Sequence, residues 1–242
     1  MKNQSRLAIL VLAAALVVSL AGTASAFTIL SGLVGNDLTD LGNNGIEANY
    51  APPNLGGFDA VFFANDEPGF QGAEGAFNVF DNLTGGGNNK WCCGTSFPEI
   101  VGANFSTVFS GGITGIVLTS FTLTSSNDTP GRDPVLWQIQ GSNDTTTGLD
   151  GTWTTIYDHA TAVSDWGAVR NQVLQYSPSD GDLFLSGQAF EAFRMVTTQT
   201  GIGVFALGEI EFFGRAVTPE PATLSLLALG GLALLRRRRR GG

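Results

Sequence analysis

Turn residues punctuate this chain about every ten positions, and the runs between them are short and rich in β-branched and aromatic side chains. The clearest run is "PVLWQIQGSND". Here Val135, Trp137 and Ile139 alternate with Leu136, Gln138 and Gln140 before Ser142-Asn143-Asp144 turns the chain. "GITGIVLTSFTLTSSND", "TWTTIYDH", "NQVLQYS", "FEAFRMVTT" and "LGEIEFFG" follow the same pattern. No segment between Phe27 and Thr218 sustains a helical period with caps. The expectation is an all-β fold of two packed sheets, a sandwich or jelly roll, with Trp137 in its core.

The two ends of the chain are built differently. Lys2 and Arg6 precede an apolar run from Leu7 to Leu20, and Ala24-Ser25-Ala26 supplies the small residues of a cleavage site. Residues 1–26 therefore read as a signal peptide, a helix removed by signal peptidase before Phe27. At the other end, Pro219-Glu220-Pro221 is followed by an apolar stretch, Ala222 to Leu235, and then by Arg236, Arg237, Arg238, Arg239 and Arg240. As a helix that stretch spans about 21 Å against a hydrocarbon core of roughly 30 Å. The arginine block resists translocation and snorkels to the headgroups, so the segment is expected to hold the membrane as a transmembrane helix before processing. This three-part tail, residues 219–242, resembles the PEP-CTERM sorting signal of Gram-negative bacteria. The resemblance implies an inner-membrane intermediate, recognition by an exosortase-type protease, and release to the cell surface or extracellular matrix.

Between the signals, residues 27–218 hold five basic residues against twenty acidic ones, a net charge of −15. So acidic a domain repels nucleic acid and anionic lipid and favours cations or neutral partners such as glycans. Its two cysteines, Cys92 and Cys93, are adjacent. They admit three states: a disulfide between neighbours, reduced or intermolecular thiols, or a soft-metal site. Two sulfurs and one distant histidine do not fill a zinc site. Residues 27–77 are rich in glycine, asparagine and proline, but Phe58, Phe62, Phe63, Phe70 and Phe77 argue for packed loops and edge strands in this first part of the β-domain.

Three stretches within residues 78–218, "NVFDNLTGGGNNKW", "LTSSNDTPGRDPVLWQIQGSND" and "FRMVTT" with "LGEIEFFG", together resemble the discoidin or coagulation-factor type C domain of the galactose-binding-like superfamily. The resemblance implies a jelly-roll β-sandwich with a structural calcium site. Calcium takes six to eight oxygen ligands, which a turn rich in Asp, Asn and Gly supplies. Carried over by position, the ligands are the Asp81 carboxylate, the Asn78 and Leu83 carbonyls, the Asn89 side chain, the Gly208 carbonyl and Glu209. Gly85-Gly86-Gly87 lengthens the loop relative to the family, and Asn89 stands where a threonine is usual. Without a cation, Asp81-Asn82 is ordinary turn chemistry and Glu209 a solvated strand residue beside Glu211.

Arg132 and Asp133 either face a ligand or pair across their own corner before Pro134, and the self-sufficient corner is the favoured expectation. Trp153 and Trp166, next to loops, are the candidate sugar-stacking planes. The sequence has no G-x-S-x-G, no H-E-x-x-H and no phosphate loop, and the lone His159 stands in no motif, so an enzyme is not expected. Two readings remain. One is a binding module for extracellular polysaccharide; the other is a structural matrix or biofilm component without a specific ligand.

Overall fold

The computed structural model describes residues 27–39, 60–66, 74–178 and 187–219. Residues 1–26, Phe58, Phe70, Glu220, Pro221, the apolar stretch and Arg236 to Arg240 lie outside the described residues. Among the described residues no helix is long and apolar enough to cross a membrane.

The described chain forms strands β1 (Thr28–Leu30), β2 (Val61–Ala64), β3 (Trp91–Gly94), β4 (Glu99–Asn104), β5 (Gly115–Thr124) and β6 (Pro134–Ser142). It continues with β7 (Thr154–His159), β8 (Val173–Tyr176), β9 (Ala189–Phe190), β10 (Ala192–Thr200), β11 (Phe205–Leu207) and β12 (Glu209–Val217). One sheet has the order β1-β8-β5-β12, with β9 also paired to β5. The other runs β2-β4-β10-β6-β7, and β11 pairs with β3 as a separate ribbon. Every pairing is antiparallel.

Alternation places the core. On β6, Val135, Trp137 and Ile139 are buried while Leu136, Gln138 and Gln140 are half-exposed. Trp137 meets Phe121 of the opposite sheet edge-on, with ring centroids 6.0 Å apart, and Phe121 stacks on Tyr176 at 4.9 Å. Phe193 and Phe212 bridge the two sheets at 5.8 Å. These contacts make the fold an all-β sandwich. The N-terminal phenylalanines belong to it: Phe62 and Phe63 on edge strand β2 are buried, and Phe62 lies 5.7 Å from Phe77 and 4.6 Å from Phe80.

The register gives the sandwich two distinct ends. Thr124 faces Glu209, and Pro134 faces Thr200, at one end; Ser142 faces Ala192, and Asn104 faces Ala192, at the other. At the first end β12 is an outer strand, and its free edge is covered by the N-terminal segment. Leu38 N–H donates to the Phe212 carbonyl at 2.7 Å, and Phe212 N–H donates to Asp37 Oδ2 at 2.8 Å. An edge that would otherwise leave backbone groups open is thereby satisfied. The same segment covers Glu211 on β12, whose carboxylate accepts from Val34 N–H and Gly35 N–H.

Candidate cation site and ligand-facing loops

The acidic end is built on one turn and one strand start. Asn82 adopts a left-handed conformation (φ 57°), which asparagine tolerates, and Leu83 N–H donates to Asp81 Oδ1 at 2.9 Å. The turn points Asn82 N–H at Glu209 Oε1, 3.2 Å away. Gly208 fixes the start of β12: its N–H donates to the Thr124 carbonyl at 2.8 Å, and a Cβ there would sit 2.9 Å from the Ser125 carbonyl oxygen. The turn and the start of β12 thus bring Asp81 and Glu209 to the same end of the sandwich.

Glu209 is not a solvated strand residue: it is 1% exposed, and Glu211 and Asp37 are buried with it. Burial pushes the Glu209 carboxyl well above its ordinary range, and the charges of Asp81, Asp37 and Glu211 push the same way. Asp37 is raised to about 6, again chiefly by burial. Glu211 is supplied with donors, accepting from Gly35 N–H at 2.5 Å and Thr122 Oγ1 at 2.6 Å. In contrast, among the described residues Glu209 Oε2 and Asp37 Oδ1 are buried with no hydrogen-bond partner, and no ion pair reaches either side chain. Among the described residues, no three of these carboxylates bring oxygens within 4.8 Å of one another. A cation here would take two of them and complete its shell from loop carbonyls.

The other candidate ligands lie around this turn with structural tasks of their own. The Asn78 amide donates to the Asn88 and Lys90 carbonyls at 2.7 and 3.2 Å, closing the loop, and the Asn89 side chain lies against Gly86. Lys90, buried although charged, sends its ammonium to Glu74 at 2.9 Å, the Gly87 carbonyl at 2.8 Å and Asn127 Oδ1 at 2.8 Å. It pins the glycine-rich loop from inside.

Arg132 and Asp133 do not pair with each other. Asp133 is fully buried and takes a two-pronged bond from Arg170 at 2.7 and 2.6 Å, with Ser164 Oγ at 3.1 Å. Arg132 turns the other way, to Asp128 at 3.2 Å and to the sulfurs of Cys92 and Cys93. Those cysteines are joined to each other in a disulfide. Arg132 ends a short helical turn, Pro130–Arg132, and Asp133 caps it before β6 begins; Asp133 is buried against Arg170, and Arg132 stays half-exposed beside β3.

The far end carries the cavity. It has a volume of about 220 Å³ and is lined by Asn143, Asp144, Thr152, Thr154 and Gln188, with Phe190 as the apolar part. Trp153 lies between two lining residues but turns away: Arg194 covers its ring at 3.9 Å, and its Nε1–H donates to the Asp150 carbonyl at 2.8 Å. Trp166 offers no stacking plane, because it is 2% exposed inside the core cluster. Sequence reasoning missed the cavity, whose residues come from two separate segments, the β6–β7 connection and the chain entering β9. The signal was the polar Ser142-Asn143-Asp144 turn. His159 is buried, with Nδ1 3.0 Å from the Val135 carbonyl and its ring stacked on Trp137 at 5.0 Å.

Residues 217–240 match the family model of the PEP-CTERM protein-sorting motif. The tail is a PEP-CTERM sorting signal. It implies export, exosortase processing and sorting to the cell surface of a Gram-negative bacterium. No curated protein sequence matches the chain. Among solved structures, chitosan-binding module 1 of a chitosanase/glucanase from Paenibacillus sp. IK-5 is similar at 20% identity, over 64% of this chain and 96% of that one, with a TM-score of 0.44. The family 32 carbohydrate-binding module of Clostridium perfringens NanJ, solved with galactose, is similar at 16% identity, 64% and 93% coverage and a TM-score of 0.43. A fucolectin from striped bass (Morone saxatilis) serum gives 12% identity, 67% and 49% coverage and a TM-score of 0.49.

Proposed function

We propose that this exported, exosortase-sorted protein is a non-catalytic glycan-binding module that holds extracellular polysaccharide at the cell surface or in the matrix. The observation that carries the reading is the cavity at the Ser142 end. Its lining combines amide, carboxylate and hydroxyl groups with one aromatic side chain, the mixture that a sugar's hydroxyls and C–H faces satisfy together. Asp144 keeps one oxygen for the turn, accepting from Thr152 N–H at 2.7 Å and Ser142 Oγ at 3.0 Å, and so holds a fixed orientation. A non-catalytic role accords with the sole histidine being buried and committed to the Val135 carbonyl.

Calcium at the acidic end belongs to the same reading, as a structural support. Glu209 Oε2 and Asp37 Oδ1, buried without a hydrogen-bond partner among the described residues, are hard oxygen donors of the kind a divalent cation takes. Asp81 and Glu209 would hold it, and its charge would offset their mutual repulsion.

The test is a polysaccharide and glycan binding screen on the secreted protein, in calcium and in chelator, with Asp144→Ala and Gln188→Ala as variants. Binding to a defined glycan that both variants weaken is the expected result, with Tm unchanged in Gln188→Ala and lowered slightly in Asp144→Ala, whose carboxylate also holds the turn. A folded protein that binds no glycan in either condition would overturn the reading in favour of a structural matrix component.

A further inference from the structure

The disulfide between Cys92 and Cys93 lies at the acidic end, away from the cavity, and neither proposed role uses it. Strand β3 holds it in place: Trp91 is buried against Phe205 at 4.7 Å, and Cys92 N–H donates to the Glu74 carbonyl at 2.9 Å. Cys92 is half-buried and Cys93 exposed. Arg132 Nη1 lies 3.4 Å from the Cys92 sulfur and 3.2 Å from the Cys93 sulfur, held there by Asp128 at 3.2 Å. A Glu74 oxygen lies within 4.8 Å of both sulfurs, but its carboxylate is already paired with Lys90 at 2.9 Å. Two cations and two carboxylates therefore balance around the sulfurs, and one guanidinium N–H points at the pair.

We propose that this pair is a thiol-exchange site, through which a thiol-bearing partner outside the cell becomes covalently attached at Cys93. The incoming thiol loses its proton to solvent, and the resulting thiolate attacks the exposed Cys93 sulfur. A new S–S bond forms to the partner as the Cys92–Cys93 bond breaks. The electron pair of the broken bond leaves on Cys92 as a thiolate, which accepts a hydrogen bond from Arg132 Nη1. One disulfide is lost and one gained, so no external oxidant or reductant enters. A leaving thiolate that finds a cationic donor already in place departs faster, and so Arg132 governs the rate of opening. The reverse attack by Cys92 releases the partner, which makes the attachment reversible.

The experiment treats the secreted protein with reduced glutathione, quenches at intervals with iodoacetamide, and reads intact and peptide masses. The expected product carries glutathione on Cys93 and carbamidomethyl on Cys92. Arg132→Gln slows its formation by about fivefold or more, Arg132→Lys lies between, and Cys92→Ser, which has no disulfide to open, gives no adduct. A wild-type rate in both arginine variants would overturn the proposal. So would an adduct on Cys92, or an untouched disulfide under excess glutathione.

Discussion

At the acidic end Asp37, Asp81, Glu209 and Glu211 are buried and crowd one another, whereas at the cavity end Asp144 and Asp150 stand exposed and are wrapped by donors. Asp150 alone accepts from Thr145 Oγ1, Thr146 N–H and Thr147 N–H at 2.8–2.9 Å. Its carboxyl is driven far below the ordinary range by the hydroxyl and backbone donors of that turn, and Asp144 is lowered by the Thr152 N–H and Ser142. The carboxyls of Asp37 and Glu209 move up, because burial removes water without supplying enough donors. One residue type thus has opposite consequences: at the cavity end the charge completes a turn, and at the acidic end it asks for a counter-ion.

The largest effect should come from breaking the pair that holds the fully buried Asp133 at the acidic end. Arg170→Ala strands the fully buried Asp133 carboxylate, and denaturant titration should show a loss of about 3–5 kcal/mol. Next comes the cation. Chelator should lower Tm at pH 7.5, corresponding to about 2.7 kcal/mol if calcium stood at a hundredfold its Kd, and Glu209→Gln should abolish that difference.

The two ends should also titrate with opposite sign. In calcium-free buffer, Asp37 binds its proton more tightly folded than unfolded, with a folded value of about 6. Its contribution is therefore full below about pH 4 and is lost as pH rises toward 6, by up to about 3 kcal/mol. Asp37→Asn should flatten that slope. Since protons and calcium compete for the same oxygens, the calcium-dependent rise in Tm should grow between pH 5 and pH 7.5. The smallest effect is expected at Asp150, whose stabilising contribution is present at neutral pH and falls away as pH drops below the ordinary carboxylate value. Asp150→Ala should lower Tm slightly, with no response to calcium.

Much of the sheet pattern was legible because it is local. The alternation in "PVLWQIQGSND" places Val135, Trp137 and Ile139 inside, and the β12 run places Ile210 and Phe212 there. The same alternation put Glu209 and Glu211 on the outer face, and two segments distant in the chain, the one carrying Asp37 and the Asp81-Asn82 turn, make that face an interior. Nothing in the spacing of Asp37 announces this. Trp166 failed as a surface plane for a related reason: its loop has no periodicity from which burial can be read. Arg132-Asp133 looked self-sufficient as neighbours, yet Asp133 went to Arg170 and Arg132 to the sulfurs on β3, partners remote in sequence that no local pattern announces.

Which end meets the ligand is the central question, and hydrogen–deuterium exchange with and without saturating glycan addresses it directly. The account predicts new protection in residues 142–154 and 187–190, with the loops around Asp81, Arg132 and Glu209 unchanged in calcium. Protection confined to residues 74–94 and 125–133, with the cavity loops unaffected, would contradict it.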